Sequence, residues 1–234
     1  MLLLATAVGA AQSFDAASVK PARGGPVRIE SDPGRLTVHA ETLEVLIKVA
    51  YGLRDYQFSG PGWLHTERYD IVATTDAPQT RATQLAMLRQ LLAERFRLAV
   101  HRESRTMPVY ALVPGKGGPK LKPMDASLPA PFELYSNFSM APTAGGATEL
   151  RGFGSMGLLA DFLTRVAERP VLDRTGIAGN FEIRLLCAID GYPGFETSPS
   201  VFDALQTQLG LKLEARTSAI EVTVVDHAER SKEN

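Results

Sequence analysis

Apolar residues recur at helical spacing in two separate places that read alike. Leu43, Leu46, Ile47 and Ala50 follow the i, i+3, i+4, i+7 pattern, and so do Met156, Leu159, Ala160 and Leu163. Thr42 and Ser155 stand where each helix needs an N-cap, and Gly52 and Pro170 where each should stop. Two longer stretches superpose without a gap, LLAERFRLAVHRESRTMPVYALV on ALQTQLGLKLEARTSAIEVTVVD. A shift of 113 carries Leu92 onto Leu205, Phe96 onto Leu209, Leu98 onto Leu211, Val100 onto Leu213 and Val109 onto Val222. The same shift relates the two amphipathic helices. Self-similarity at this length predicts one unit written twice.

Each unit reads strand, helix, strand, strand, helix, strand, strand. In the first, RLTVHA alternates as a strand, Thr42 to Tyr51 is helical, YQFSG and RYDIVAT are strands, and Leu85 to Phe96 is helical. RLAVHRE and VYALV close it. The second has strands near ELRGF, PVLD, NFEIRLL, LKLEA and EVTVVD, with helices at Met156 to Ala167 and Val201 to Leu209. SFDAASVKP reads as an added strand beside the first unit. Pro114 to Ala147 is rich in Pro and Gly and carries no sustained period, which marks a connector, with a short strand embedded at FELYSNF. The expected fold class is therefore α+β, two similar β-α-β-β-α-β-β lobes from an internal duplication. Their bounds are 13–113 and 148–228, with a connector over 114–147 and a tail over 229–234.

The N-terminus, MLLLATAVGAAQSFDAAS, is an apolar run ending in small residues, so 1–12 reads as a truncated signal peptide lacking its basic n-region. The competing reading is a buried strand. No other apolar run has the length of a membrane span, so the mature chain is expected to lack a transmembrane helix. The chain has 234 residues, 25 Lys and Arg against 26 Asp and Glu. No global field favours nucleic acid or an anionic membrane. A single cysteine, Cys187, gives neither an internal disulfide nor a metal cluster.

One motif carries catalogue chemistry. Gly152-Phe153-Gly154-Ser155-Met156-Gly157 fits the G-x-G-x-x-G spacing of a dinucleotide-binding turn. In the first unit Val38 to Glu41 fill the matching turn without glycine, and PVLD before Asp173 is too short a following strand. No cofactor is expected, and the segment reads as a flexible turn. Ser155 is an N-cap whose hydroxyl serves backbone N–H groups. GKGGPKLKP lacks P-loop spacing and reads as solvated connector. The four histidines show no ligand spacing, so no metal and no catalytic residue is assigned, and His39 and His101 fall on solvated strand faces. His65 differs, because SGPGWLHTERYD gathers Trp63, His65 and Arg68 around one turn with the chain's single tryptophan. Gly60-Pro61-Gly62 makes the reversal and Trp63 caps the core edge, or these three residues meet a partner.

FDAASVKPA, YQFSGPGWLHTERYDIVA, LLAERFRLAVHRESRTMPVYALV, KGGPKLKP, RPVLDRTGIAGNFEIRL and the C-terminal segment from Leu205 resemble an exported soil-bacterial family, typical of acidobacteria, known as a domain of unknown function. The resemblance runs from about Phe14 to the C-terminus, and the second unit departs from it by one residue at Gly152 to Gly157. It implies a signal peptide, an extracytoplasmic (periplasmic or secreted) location and, in related chains, attachment to antirepressor-type membrane peptidases. It implies no catalytic residue. Each unit also resembles the short N-terminal signalling domain of secretins and TonB-dependent receptors, which binds protein partners. The expected function is a non-enzymatic module for a protein or cell-envelope partner, with Trp63, His65 and Arg68 as contact residues. The alternative is a hydrolase or a small-molecule binder with its site between the lobes.

Overall fold

The computed structural model describes residues 13–124, 138–143, 147–188 and 198–231. The expected signal peptide and all of FELYSNF but Phe138 lie outside the described residues. The elements begin β1 (Ala16–Pro21), β2 (Arg28–Asp32), β3 (Arg35–Thr42), α1 (Leu43–Tyr51), β4 (Phe58–Ser59), β5 (Arg68–Thr74), α2 (Arg81–Phe96) and β6 (Ala99–Pro114). They continue β7 (Lys122–Pro123), β8 (Ser139–Pro142), β9 (Thr148–Gly154), α3 (Met156–Thr164), β10 (Val171–Asp173), β11 (Phe181–Cys187), α4 (Val201–Ala204) and β12 (Leu211–His227). The architecture is mixed α+β.

Two compact units form, one of residues through Ser104 with those from Glu221 onward, the other Arg105–Ile220. The boundary falls inside β6 and β12, so each of these strands gives one part to each unit. Unit 1 contains an antiparallel sheet of order β1-β5-β3-β2. Its α1 starts where local chemistry says it must: the Thr42 hydroxyl accepts from Val45 N–H, and Gly52 stops it in the left-handed region at φ 66°. Leu43, Leu46, Ile47 and Ala50 are buried on one face, and Tyr69 meets Phe96 edge-on, centroids 4.8 Å apart. Unit 2 repeats the arrangement with a sheet of order β7-β11-β9-β8. Leu150, Met156, Leu159, Leu163, Leu185 and Leu205 lie in one core cluster of that unit.

At the shift of 113 the buried faces coincide through the helices: Leu46 and Leu159, Leu92 and Leu205, Phe96 and Leu209 are all buried. The parallel pairings coincide as well. Phe58 and Ser59 of β4 lie opposite Thr223 and Val224 of β12, and Val171 and Leu172 of β10 opposite Tyr110 and Ala111 of β6. In the four-stranded sheets the shift changes. Buried Leu36 and Val38 of β3 correspond to buried Thr148 and Leu150 of β9; buried Tyr69, Ile71 and Ala73 of β5 correspond to Ile183, Leu185 and Cys187 of β11. Unit 1 also carries a β-bulge. The β3/β5 register slips between Val38 and Glu41, with Ala40 at φ 47°, whereas β9 runs opposite β11 without a break.

Several expected elements differ. RLAVHRE and VYALV form one strand, β6, and LKLEA and EVTVVD one strand, β12. Their middle residues are exposed, so the alternation that marks a half-buried strand fades there. YQFSG becomes a 3-10 turn, Asp55–Gln57, followed by the two-residue β4. The α2 helix starts at Arg81 because Thr80 caps it, four residues before the first expected position; α3 ends at Thr164, well before Pro170. Leu205–Leu209 continue α4 as a π-helical turn. Within the expected connector, Lys122 and Pro123 make an edge strand against Glu182 and Phe181. The glycine turn is a packing device. A Cβ on Gly154 would stand 2.9 Å from Leu158 Cδ1, so glycine admits α3 close to β9. Here β9 is antiparallel to both its neighbours, unlike the first strand of a dinucleotide-binding βαβ unit.

Candidate functional site around Trp63

The segment between β4 and β5 is built around one buried side chain. Pro61 leads into a 3-10 turn, Gly62–His65, and Leu64 within it is fully buried. A Cβ on Gly60 would lie 2.8 Å from Leu64 Cδ1 and 3.0 Å from Phe58 Cζ, so glycine at 60 lets Leu64 seat. With Leu64 pinned inward, Trp63 is half-buried and His65 is exposed. The Thr66 hydroxyl donates to the Trp63 carbonyl at 3.2 Å and steadies the turn.

One contact on the Trp63 ring is tied to two further interactions at Glu67. The Arg230 guanidinium sits 5.1 Å from the ring centroid, and its Nε pairs with Glu67. The Tyr69 hydroxyl donates to the other oxygen of Glu67 at 3.2 Å. Burial, with the Glu67 carboxylate beside it, pushes the Tyr69 phenol up to about 12. The chain's last described segment is tied down nearby, Glu229 N–H donating to the Phe96 carbonyl at 2.6 Å.

The three expected contact residues have different partners. Trp63 meets Arg230; His65 Nδ1 pairs with Glu44, which also holds Lys48 at 2.8 Å, and Lys48 reaches Asp55 at 2.6 Å. Arg68 belongs to the bulge. Its Nη1 donates to the Ala40 carbonyl at 2.7 Å while Ala40 N–H donates to Asp70 at 2.9 Å, so one cation and one carboxylate together satisfy the peptide groups that the bulge leaves out of the ladder. Sequence reasoning placed Trp63 and His65 on their turn but missed Glu44, Glu67 and Arg230. The i to i+4 pair Glu44–Lys48 was readable on α1; the ties to His65 and Arg230 are tertiary and left no local signal.

The nucleophile candidates are engaged elsewhere. Ser155 Oγ accepts from Leu158 N–H at 3.3 Å as the α3 cap. Cys187 is fully buried on β11, and burial pushes its thiol pKa up, away from thiolate reactivity. His101 pairs with Asp226 at 2.7 Å and His227 with Glu229 at 3.1 Å on exposed strand ends, and His39 is exposed on β3. Among the described residues no three His, Cys, Asp or Glu side chains gather to hold a metal ion, and no helix is long and apolar enough to cross a membrane.

No curated protein and no solved structure matches the chain. Residues 44–228 match the family described as Protein of unknown function (DUF3738), from the start of α1 to the end of β12. The chain belongs to that family.

Proposed function

We propose that this chain is an exported, non-enzymatic module built from a duplicated α+β unit, which engages a protein or cell-envelope partner through the Trp63 turn. The observation that carries the reading is Trp63 itself: a half-exposed indole on a turn fixed by buried Leu64, flanked by Arg230, Glu67 and exposed His65. Tryptophan and arginine are among the residues that most often dominate protein interfaces, tryptophan because it buries large area at small cost in conformational freedom. Trp63 and His65 form the contact, while Arg68 acts from behind it by holding the bulge.

Three further features support the reading. The coincidence of buried faces and of the β4–β12 and β10–β6 registers fits a duplication in which each unit takes a closing strand from the other repeat. The apolar N-terminal run fits export. The Ser155 hydroxyl and the Cys187 thiol are held in structural roles.

Because Trp63 is the single tryptophan, its emission reports the site directly. Native mass spectrometry of the protein recovered from the exterior or periplasm of its host should show a stoichiometric protein adduct that shifts Trp63 fluorescence. Trp63→Ala should abolish the adduct while cooperative thermal unfolding persists. An adduct retained by Trp63→Ala would remove the turn from the contact, and turnover of an envelope substrate by the bare protein would overturn the non-enzymatic reading.

A further inference from the structure

The outward faces of the two four-stranded sheets carry ionisable side chains at corresponding places but use them differently. In unit 1 the outward residues of the β3/β5 pair beside the bulge are His39 and Asp70, and Asp70 is bonded to the Ala40 peptide. In unit 2 the corresponding positions are Arg151 and Arg184, directly opposite each other on β9 and β11. No bulge needs them there. Like charges directly opposite across strands repel, so this placement does not stabilise the sheet.

The local charges are only partly matched. Arg184 pairs with Glu149 through Nε alone, which leaves its two Nη groups without a protein partner among the described residues. Lys122 pairs with Glu182, and the Arg151 side chain makes no hydrogen bond or ion pair among the described residues. The side chains of Lys122 and Arg184 remain 75% and 74% exposed after pairing. These groups line an open groove of about 820 Å³, with Phe153 beside Arg151 along β9. Three cations face two carboxylates, and the excess sits on two adjacent guanidinium groups whose fork geometry suits carboxylate oxygens.

We propose that this groove of unit 2 binds an acidic segment of a protein partner, whose carboxylates engage Arg151 and the terminal nitrogens of Arg184. Phe153 gives the bound chain an apolar contact. The site is separate in residues from the Trp63 turn, so either surface can fail without the other.

The test is a titration of the ¹⁵N-labelled full chain with a hexaglutamate peptide at low salt, followed by two-dimensional amide spectra, with hexalysine as the control. Hexaglutamate should shift the amides of Glu149, Arg151, Gly152, Phe153, Glu182 and Arg184 saturably and leave those of His39 and Asp70 in place. Arg151→Ala with Arg184→Ala should weaken binding at least about tenfold while the remaining resonances report an intact fold. Trp63→Ala should leave the titration unchanged. Shifts spread over both units, equal shifts with hexalysine, or an affinity unaltered by the double arginine variant would overturn the proposal.

Discussion

Units 1 and 2 place the same kinds of element in the same order, yet their sheets are finished differently. In unit 1 the six residues of β1 run the length of β5, from Ala16 opposite Thr74 to Pro21 opposite Tyr69, and the Arg95 side chain donates to the Ala17 carbonyl. In unit 2 the corresponding edge strand, β7, covers only Phe181 and Glu182 of β11. Further along β11, the Gln208 amide takes both peptide groups of Leu186, donating to its carbonyl at 2.8 Å and accepting from its N–H at 3.0 Å. Position 208 is the counterpart of Arg95 at the shift of 113. Among the described residues a side-chain amide therefore bonds the edge where unit 1 has a strand. The comparison teaches that helices and long strands fix the frame, while strand edges and the bulge are where the units are free to differ. Arg151 stands in unit 2 at the position that matches His39 beside the bulge of unit 1.

The largest effects should come from the shared frame. Leu46 and Leu159 are matched, fully buried residues of α1 and α3. Leu46→Ala and Leu159→Ala should each cost about 2–5 kcal/mol in urea unfolding, by lost burial and the cavity left behind. A cost confined to one of the pair would break the equivalence of the two helices.

A smaller effect should appear at alkaline pH at Tyr69 of unit 1. The Tyr69 phenol is raised from 10.0 to about 12, so the folded state holds its proton where the unfolded chain has released it. Its contribution to stability is full below pH 10, declines between pH 10 and 12, and is absent above. Wild type should therefore lose more stability over that interval than Tyr69→Phe, measured by urea titration at fixed pH. Equal losses would mean that burial and Glu67 do not hold the Tyr69 phenol above its ordinary value.

Much of the frame was legible because its signals are local. Thr42, Ser155 and Gly52 cap their helices as their chemistry requires, and the spacing of Leu43, Leu46, Ile47 and Ala50 marks a buried face. The bulge was not legible, since an alanine at φ 47° carries no sequence sign of a left-handed residue. Pro108 and the polar run before it made β6 look like two strands, although an exposed strand needs no alternation. Of the site, Trp63 was readable from its Gly-Pro-Gly turn. Arg230, far along the chain, reaches it only through folding, and Arg151 opposite Arg184 became visible only once the strand register was known.

The account's central claim is that the outward sheet charges hold the bulge in unit 1 and are left for a ligand in unit 2. Comparing the urea stability of Asp70→Ala with that of Arg151→Ala tests it most directly. Losing Asp70 should cost about 1–2 kcal/mol, because the buried Ala40 N–H loses a charged acceptor. Losing Arg151 should change stability by less than about 0.5 kcal/mol, as for an exposed side chain without a partner. Equal costs, or a larger one at Arg151, would mean that Arg151 serves the fold and would contradict the account.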